Sequence, residues 1–276
     1  MREKYSVKRL IRDMEKRTSD IFLAGFRIVS EIERKGEEEL KEYMEKFILR
    51  SCPSRRCAVL NGKPWECPDQ KCWIAEGPTW KEFLSPELEL VYDMLIYTYL
   101  DALDIPEDPA EEIRLKEDPL NIMNERLKSN GEVIIEAFEK AKVFEPRVHI
   151  IKDALWAHNE NKYTLSVPLL IIQIEGILHD IAYYLKWEFR KEEMYRSHSA
   201  KVWALIKRLG EKSIEDALVN FYTGGEESPR NLIIHGRFVD YGKNHRLSTA
   251  LFTILIYLIA FYQMKTHGAT ILNLEC

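Results

Sequence analysis

The chain has 276 residues, 46% of them hydrophobic, and a formal net charge of −5. That is enough apolar material for one large domain or two ordinary ones with buried cores, and it excludes disorder along most of the length. The acidic balance excludes a generally basic nucleic-acid coat but leaves room for a local basic patch that holds a phosphate backbone.

The opening segment "MREKYSVKRLIRDMEKR" carries cations but no apolar core and no small-residue cleavage site, so it does not read as a secretory signal and the expected location is cytoplasmic. Apolar residues three and four apart predict helices near 6–17, 19–34 and 37–49. Then come "CPSRRC" at 52–57 and "CPDQKC" at 67–72, two near-copies separated by a turn sequence, "NGKP". Two close cysteine pairs on two turns suit a structural, four-sulfur zinc site made by Cys52, Cys57, Cys67 and Cys72, with the adjacent Arg and Lys offsetting the thiolate charge. The pairs have four intervening residues where two are usual, so disulfides and unpaired buried thiols remain as alternatives. Such a closed zinc has no open position for water and is expected to take no part in catalysis.

"SPELE" places Ser85 as a cap and Pro86 at the first position of a helix near 86–104. The acidic, proline-broken "LDIPEDPAEEIRLKEDP" at 103–119 reads as a connector with solvated charges. Further helices are predicted near 131–142, 147–158, 166–187, 199–209 and 213–222, with Gly210 ending one and Ser213 with Asp216 opening the next. A composition shift near residue 145 divides the chain into a helical domain, 1–145, that carries the Cys-rich loop 52–72, and a more apolar domain, 146–276. Strand-like alternation is nearly absent, so the expected fold class is all-α. "TGGEES" lacks the lysine and spacing of a Walker loop and so gives no support to nucleotide hydrolysis of that kind.

Leu247 to Met264 is eighteen residues without a charge, the lower edge of membrane-spanning length. Its hydroxyl side chains, and a second apolar segment that carries Gln173 and Glu175, favour two helices that bury each other, with the last helix serving as core and dimer surface. A membrane-anchored protein is the alternative. Ahead of that helix stands "SPRNLIIHG": Ser228 as cap, Pro229 at the first position, and one or two turns from Arg230 to His235 stopped by Gly236. Asn231 and His235 are four apart and share a helical face, so Asn231 is placed to orient the imidazole, whereas Arg230 lies about 140° from His235 in an ideal helix. Glu175 sits in a helix apolar on most faces; it either braces Arg230 or faces solvent.

"RNLIIHG" resembles the Arg-x4-His motif of HEPN-domain proteins, all-helical ribonucleases common in toxin, phage-defence and CRISPR-associated systems. The likeness extends upstream through "ALWAHNENKYTLSVPLLIIQIEGILHDIAYYL", which is similar to the paired helices of the abortive-infection-like branch, with Gln173, Glu175, Gly176 and Asp180 in place. Downstream it runs through "HGRFVDYG" into the last helix, covering about residues 146 to 265. His158, Tyr163, Asp240 and Tyr241 also match that branch, without an assigned role. The resemblance implies a HEPN-like helical bundle acting as a homodimer on RNA, in toxin-type or antiviral-defence RNA degradation, with an antitoxin or defence-system protein as a further partner. Catalysis would be metal-independent, with Arg230, Asn231, His235 and Glu175 as its residues. A catalytically silent HEPN-like module that binds RNA, a nucleotide or a protein partner is the alternative.

Overall fold

A polar cap followed by proline opens two helices of this chain, because the cap accepts from an otherwise orphaned backbone N–H while proline has none to lose. Asp118 accepts from the Leu120 amide at 3.0 Å ahead of Pro119, and Ser228 accepts from the Asn231 amide at 3.3 Å ahead of Pro229. In a computed structural model, the structure describes residues 7–17, 21–22, 94–95, 98–104, 114–141, 143–187, 198–210, 212–223 and 225–267. The four cysteines of the predicted zinc site, and the predicted helix near 37–49, lie outside these residues.

In chain order the helices are α1 (7–17), α2 (Thr98–Ala102), α3 (Pro119–Asn130), α4 (Glu132–Lys140), α5 (Val148–Asn159), α6 (Tyr163–Tyr184), α7 (His198–Arg208), α8 (Lys212–Tyr222), α9 (Pro229–Ile234) and α10 (Arg246–His267). Single 3-10 turns occupy Glu145–Arg147, Gly225–Glu227 and Asp240–Gly242. The one strand pairing among the described residues is a two-residue antiparallel pairing, β1 (Leu103–Asp104) with β2 (Arg114–Leu115), within the predicted connector. The protein is all-α in class.

The helix α3 falls where no helix was predicted. Its core side is Leu120, Met123, Asn124 and Leu127, a spacing proper to a helix, but an asparagine holds one of the four positions and masks the apolar period. The helix α8 begins at Lys212, one residue ahead of the predicted Ser213 cap, and Lys212 reaches Asp216 at 2.5 Å across one turn.

The helices α6 and α10 pack against each other, with α5 against α6 and α3 against α10. Leu247 to Gln263 are buried throughout, and helices apolar on all sides need such an interior place. The hydroxyls on α10 are satisfied locally: Thr253 donates to the Thr249 carbonyl and Thr249 to the His245 carbonyl, both at 3.0 Å. Both α6 and α10 are long and apolar enough to cross a membrane, and here 61% and 94% of their apolar windows are buried inside the chain. Within one chain Leu247 to Gln263 serve as core, as expected of the last helix. Among the described residues one core cluster crosses position 145, joining Leu120, Met123 and Phe138 to Ile174, Leu251 and Phe252.

Candidate functional site

The helix α6 delivers Glu175 to the interior, 7% exposed, on the side that meets α9. A lone carboxylate there would be costly, and it is paired. Arg230, in the first turn of α9, donates from Nε to Glu175 Oε1 at 2.6 Å and from Nη2 to Oε2 at 2.8 Å, the side-on bidentate geometry that a planar guanidinium favours. Its Nη1 donates to Asn231 Oδ1 at 2.5 Å. These three bonds use three of the five guanidinium N–H groups and, among the described residues, leave one on each Nη. The Glu175 hydrogen bonds raise the Arg230 pKa against the opposing effect of burial, so the guanidinium stays charged. Tyr222, fully buried beside the pair, donates to the Ile171 carbonyl at 3.1 Å, and burial together with the Glu175 charge pushes its pKa well above the usual phenol range.

Of the two expectations for Glu175, the brace is the one observed. Asn231 does not orient the imidazole. Its amide is committed elsewhere, accepting from Arg230 and donating from Nδ2 to the Gly225 carbonyl at 2.5 Å, so it locks the arginine to the preceding turn. His235 is exposed and stands just past the end of α9, with its backbone N–H on the Asn231 carbonyl at 3.0 Å. That i→i−4 bond keeps its Cα on the helical path, so the offset of about 140° from Arg230 still holds. Past it the chain turns away at Gly236, whose φ of +68° suits glycine, and the Arg237 N–H to Leu232 carbonyl bond at 2.8 Å closes the helix end. Buried Leu232, Ile233 and Phe238 anchor that turn to the core.

Sequence reasoning missed the use of Gln173, Gly176 and Asp180, which it noted without a role. They form the cradle of Arg147: Nε donates to Asp180 Oδ2 at 2.5 Å and Nη1 to Gln173 Oε1 at 3.2 Å. A Cβ on Gly176 would overlap the Arg147 guanidinium, so glycine is needed inside this helix for the arginine to lie across it. The signal was a mid-helix glycine flanked by an amide and a carboxylate; nothing in the sequence pointed to Arg147.

The remaining matched residues have packing partners. His158 Nδ1 lies 2.8 Å from Ser248 Oγ, which lies 2.8 Å from Ser166 Oγ, all fully buried. Burial, with Lys128 and His245, lowers the His158 pKa to about 4, and its Nε2 has no partner among the described residues. Tyr163 donates to Asn161 Oδ1 at 2.6 Å, Tyr241 to the Thr164 carbonyl at 3.2 Å, and Asp240 pairs with Lys8 and Lys243. Comparison of the chain with family models, curated proteins and solved structures finds no match in any of the three.

Proposed function

We propose that this chain is a HEPN-type, metal-independent endoribonuclease that cleaves single-stranded RNA in a site completed by a second copy of the chain, in toxin-type or defence RNA degradation. The observation that carries the reading is the pairing of a rigidly held guanidinium with an exposed imidazole on one short helix. Arg230 is fixed by Glu175 and Asn231 with N–H groups to spare, and His235 is presented by the turn that ends the same helix. The sequence likeness to the Arg-x4-His motif supports the same residues.

The chemistry needs little more. The RNA 2′-hydroxyl attacks the adjacent phosphorus, forming the 2′-O–P bond and breaking the P–O5′ bond. An imidazole takes the 2′-hydroxyl proton, and an imidazolium returns a proton to the leaving 5′-oxygen. The free guanidinium N–H groups stabilise the charge on the phosphorane oxygens. Two copies around one phosphate supply separate imidazoles for the two proton transfers.

The silent binding module is a second reading, favoured by the Arg230–Glu175 pair itself, which neutralises much of the guanidinium charge before any phosphate arrives. Cleavage of RNA by the purified chain in excess EDTA separates the two. The enzyme leaves a 2′,3′-cyclic phosphate, spares strands with a 2′-methoxy group at the cut, and loses activity in His235→Ala. No cleavage by the wild type, or undiminished cleavage by His235→Ala, leaves the binding module.

A further inference from the structure

Beyond Glu175 the face of α6 that meets α9 continues toward the helix end. At about 100° and 1.5 Å per residue, His179 and Ala182 lie within about 40° of the Glu175 direction, and Tyr183 lies about 80° from it and about 12 Å along the axis. With Asp180, Lys186 and Trp187 these residues line a recess of about 670 Å³. That volume is within the range of small-ligand sites, about 300–1,000 Å³.

Three features of the recess point to its occupant. Tyr183 is 87% exposed, whereas the adjacent Tyr184 packs edge-on against Tyr262 at 5.3 Å, so a large aromatic face is left open to a planar partner. The carboxylate in the lining, Asp180, is neutralised by Arg147, while the Lys186 ammonium is exposed and forms no ion pair among the described residues. Lys186 also stands in the left-handed backbone region, φ +51°, in the closing turn of α6 where the Trp187 N–H meets the Ala182 carbonyl at 2.8 Å. Glycine is the unstrained residue at such a position, so a lysine there keeps its side chain at a conformational cost.

We propose that this recess is a nucleotide subsite for single-stranded RNA: one base stacks on the Tyr183 ring against the Trp187 wall, and a neighbouring phosphate sits at the Lys186 ammonium. The proposal rests on the RNA reading above and extends its substrate path along α6 from Arg230. Aromatic stacking with an adjacent cation is how proteins hold single strands without reading sequence, so the subsite adds affinity and position rather than base preference.

The test uses the full chain and a fluorescein-labelled oligoribonucleotide carrying 2′-methoxy groups throughout, so that binding is read without cleavage. Tyr183→Ala weakens binding about fivefold or more, and Tyr183→Trp retains it. Lys186→Gly weakens binding and lowers the slope of log affinity against log salt by about 0.7, the release of one counterion on a single strand. Its melting temperature is not below that of the wild type, because glycine relieves the left-handed backbone. Wild-type RNA cleavage together with oligonucleotide affinity indifferent to Tyr183→Ala and Lys186→Gly overturns the subsite and leaves the ribonuclease reading standing. A wild-type chain that neither binds the oligonucleotide nor cuts RNA removes both.

Discussion

Two arginines grip the helix α6 from different sides, and their chemistry diverges because of what surrounds them. Arg230 meets a buried carboxylate side-on, its own side chain 17% exposed, and an exposed histidine follows at the end of its helix. Arg147 lies across the helix backbone at Gly176, held by Asp180 and Gln173, with the exposed His149 two residues on in the first turn of α5. Both pairs have short Nε–carboxylate distances, 2.6 and 2.5 Å, but Glu175 holds its arginine with both oxygens and Asp180 with one. An arginine–carboxylate pair near an exposed imidazole is therefore no site by itself; the Arg230 pair differs in its two-oxygen hold by a buried carboxylate, below a short helix that ends in His235.

The sharpest break of that comparison is kinetic. His235→Ala should slow RNA cleavage about a hundredfold or more by removing proton transfer, with melting unchanged because the side chain is exposed. Arg230→Ala should slow it similarly but also strand Glu175 in the interior, so the Arg230→Ala/Glu175→Gln double variant is the one that isolates the lost phosphorane stabilisation. If His235→Ala and the double variant cut as fast as wild type, Arg230 is a staple like Arg147.

Removing the carboxylate instead tests the burial of the pair. Glu175→Ala leaves a mostly buried guanidinium uncompensated, and chemical denaturation should show a loss of about 3 kcal/mol or more. A change below about 1 kcal/mol would mean that Arg230 swings to solvent at little cost, and the rigid presentation of its N–H groups would fail with it.

The core polar cluster provides a neutral counterpart to both arginines. His158 is kept neutral with a pKa of about 4, below its unfolded value near 6.5, so the unfolded chain takes up a proton first as the pH falls. Stability is full above about pH 6.5 and declines by about 3 kcal/mol as the pH drops to about 4. His245, also lowered by burial and then by Arg246 and Lys128, adds in the same direction. Melting curves across that window should show the decline, and His158→Gln should make it shallower; an unchanged slope would remove His158 as its source.

The smallest expected effect is on the second arginine. Gly176→Ala pushes a methyl group into the Arg147 guanidinium, and the displaced side chain should cost about 1–3 kcal/mol in denaturant midpoint measurements. The variant should retain RNA cleavage, since Arg147 takes no part in the proposed chemistry. Loss of cleavage with an intact fold would make the two arginines one functional unit.

Much of this was legible from local patterns. Caps and stops at Ser228, Pro229, Gly210 and Gly236 depend on the chemistry of one or two residues, and they were read correctly. The apolar periods of α5, α6, α7 and α8 were likewise plain. The helix α3 was hidden because Asn124 occupies a core position, although the Asp118–Pro119 start was the same device seen at Ser228–Pro229. The pairing of Asn231 with Arg230 and Gly225 was not legible, since three partners compete for one amide and only the path of the chain before α9 selects among them.

By itself the sequence determined the all-helical class, the short helix carrying Arg230, and the turn that leaves His235 at its end. Each follows from hydrogen-bonding and steric preferences that act within a few residues. Only the tertiary structure decided that Glu175 meets Arg230 rather than solvent, fifty-five residues away. It likewise decided that Leu247 to Gln263 of the last apolar helix are interior and that Gly176 exists to admit Arg147. Those outcomes depend on which helix faces are brought together, and a carboxylate, a glycine or an apolar run is compatible with several such arrangements until packing selects one.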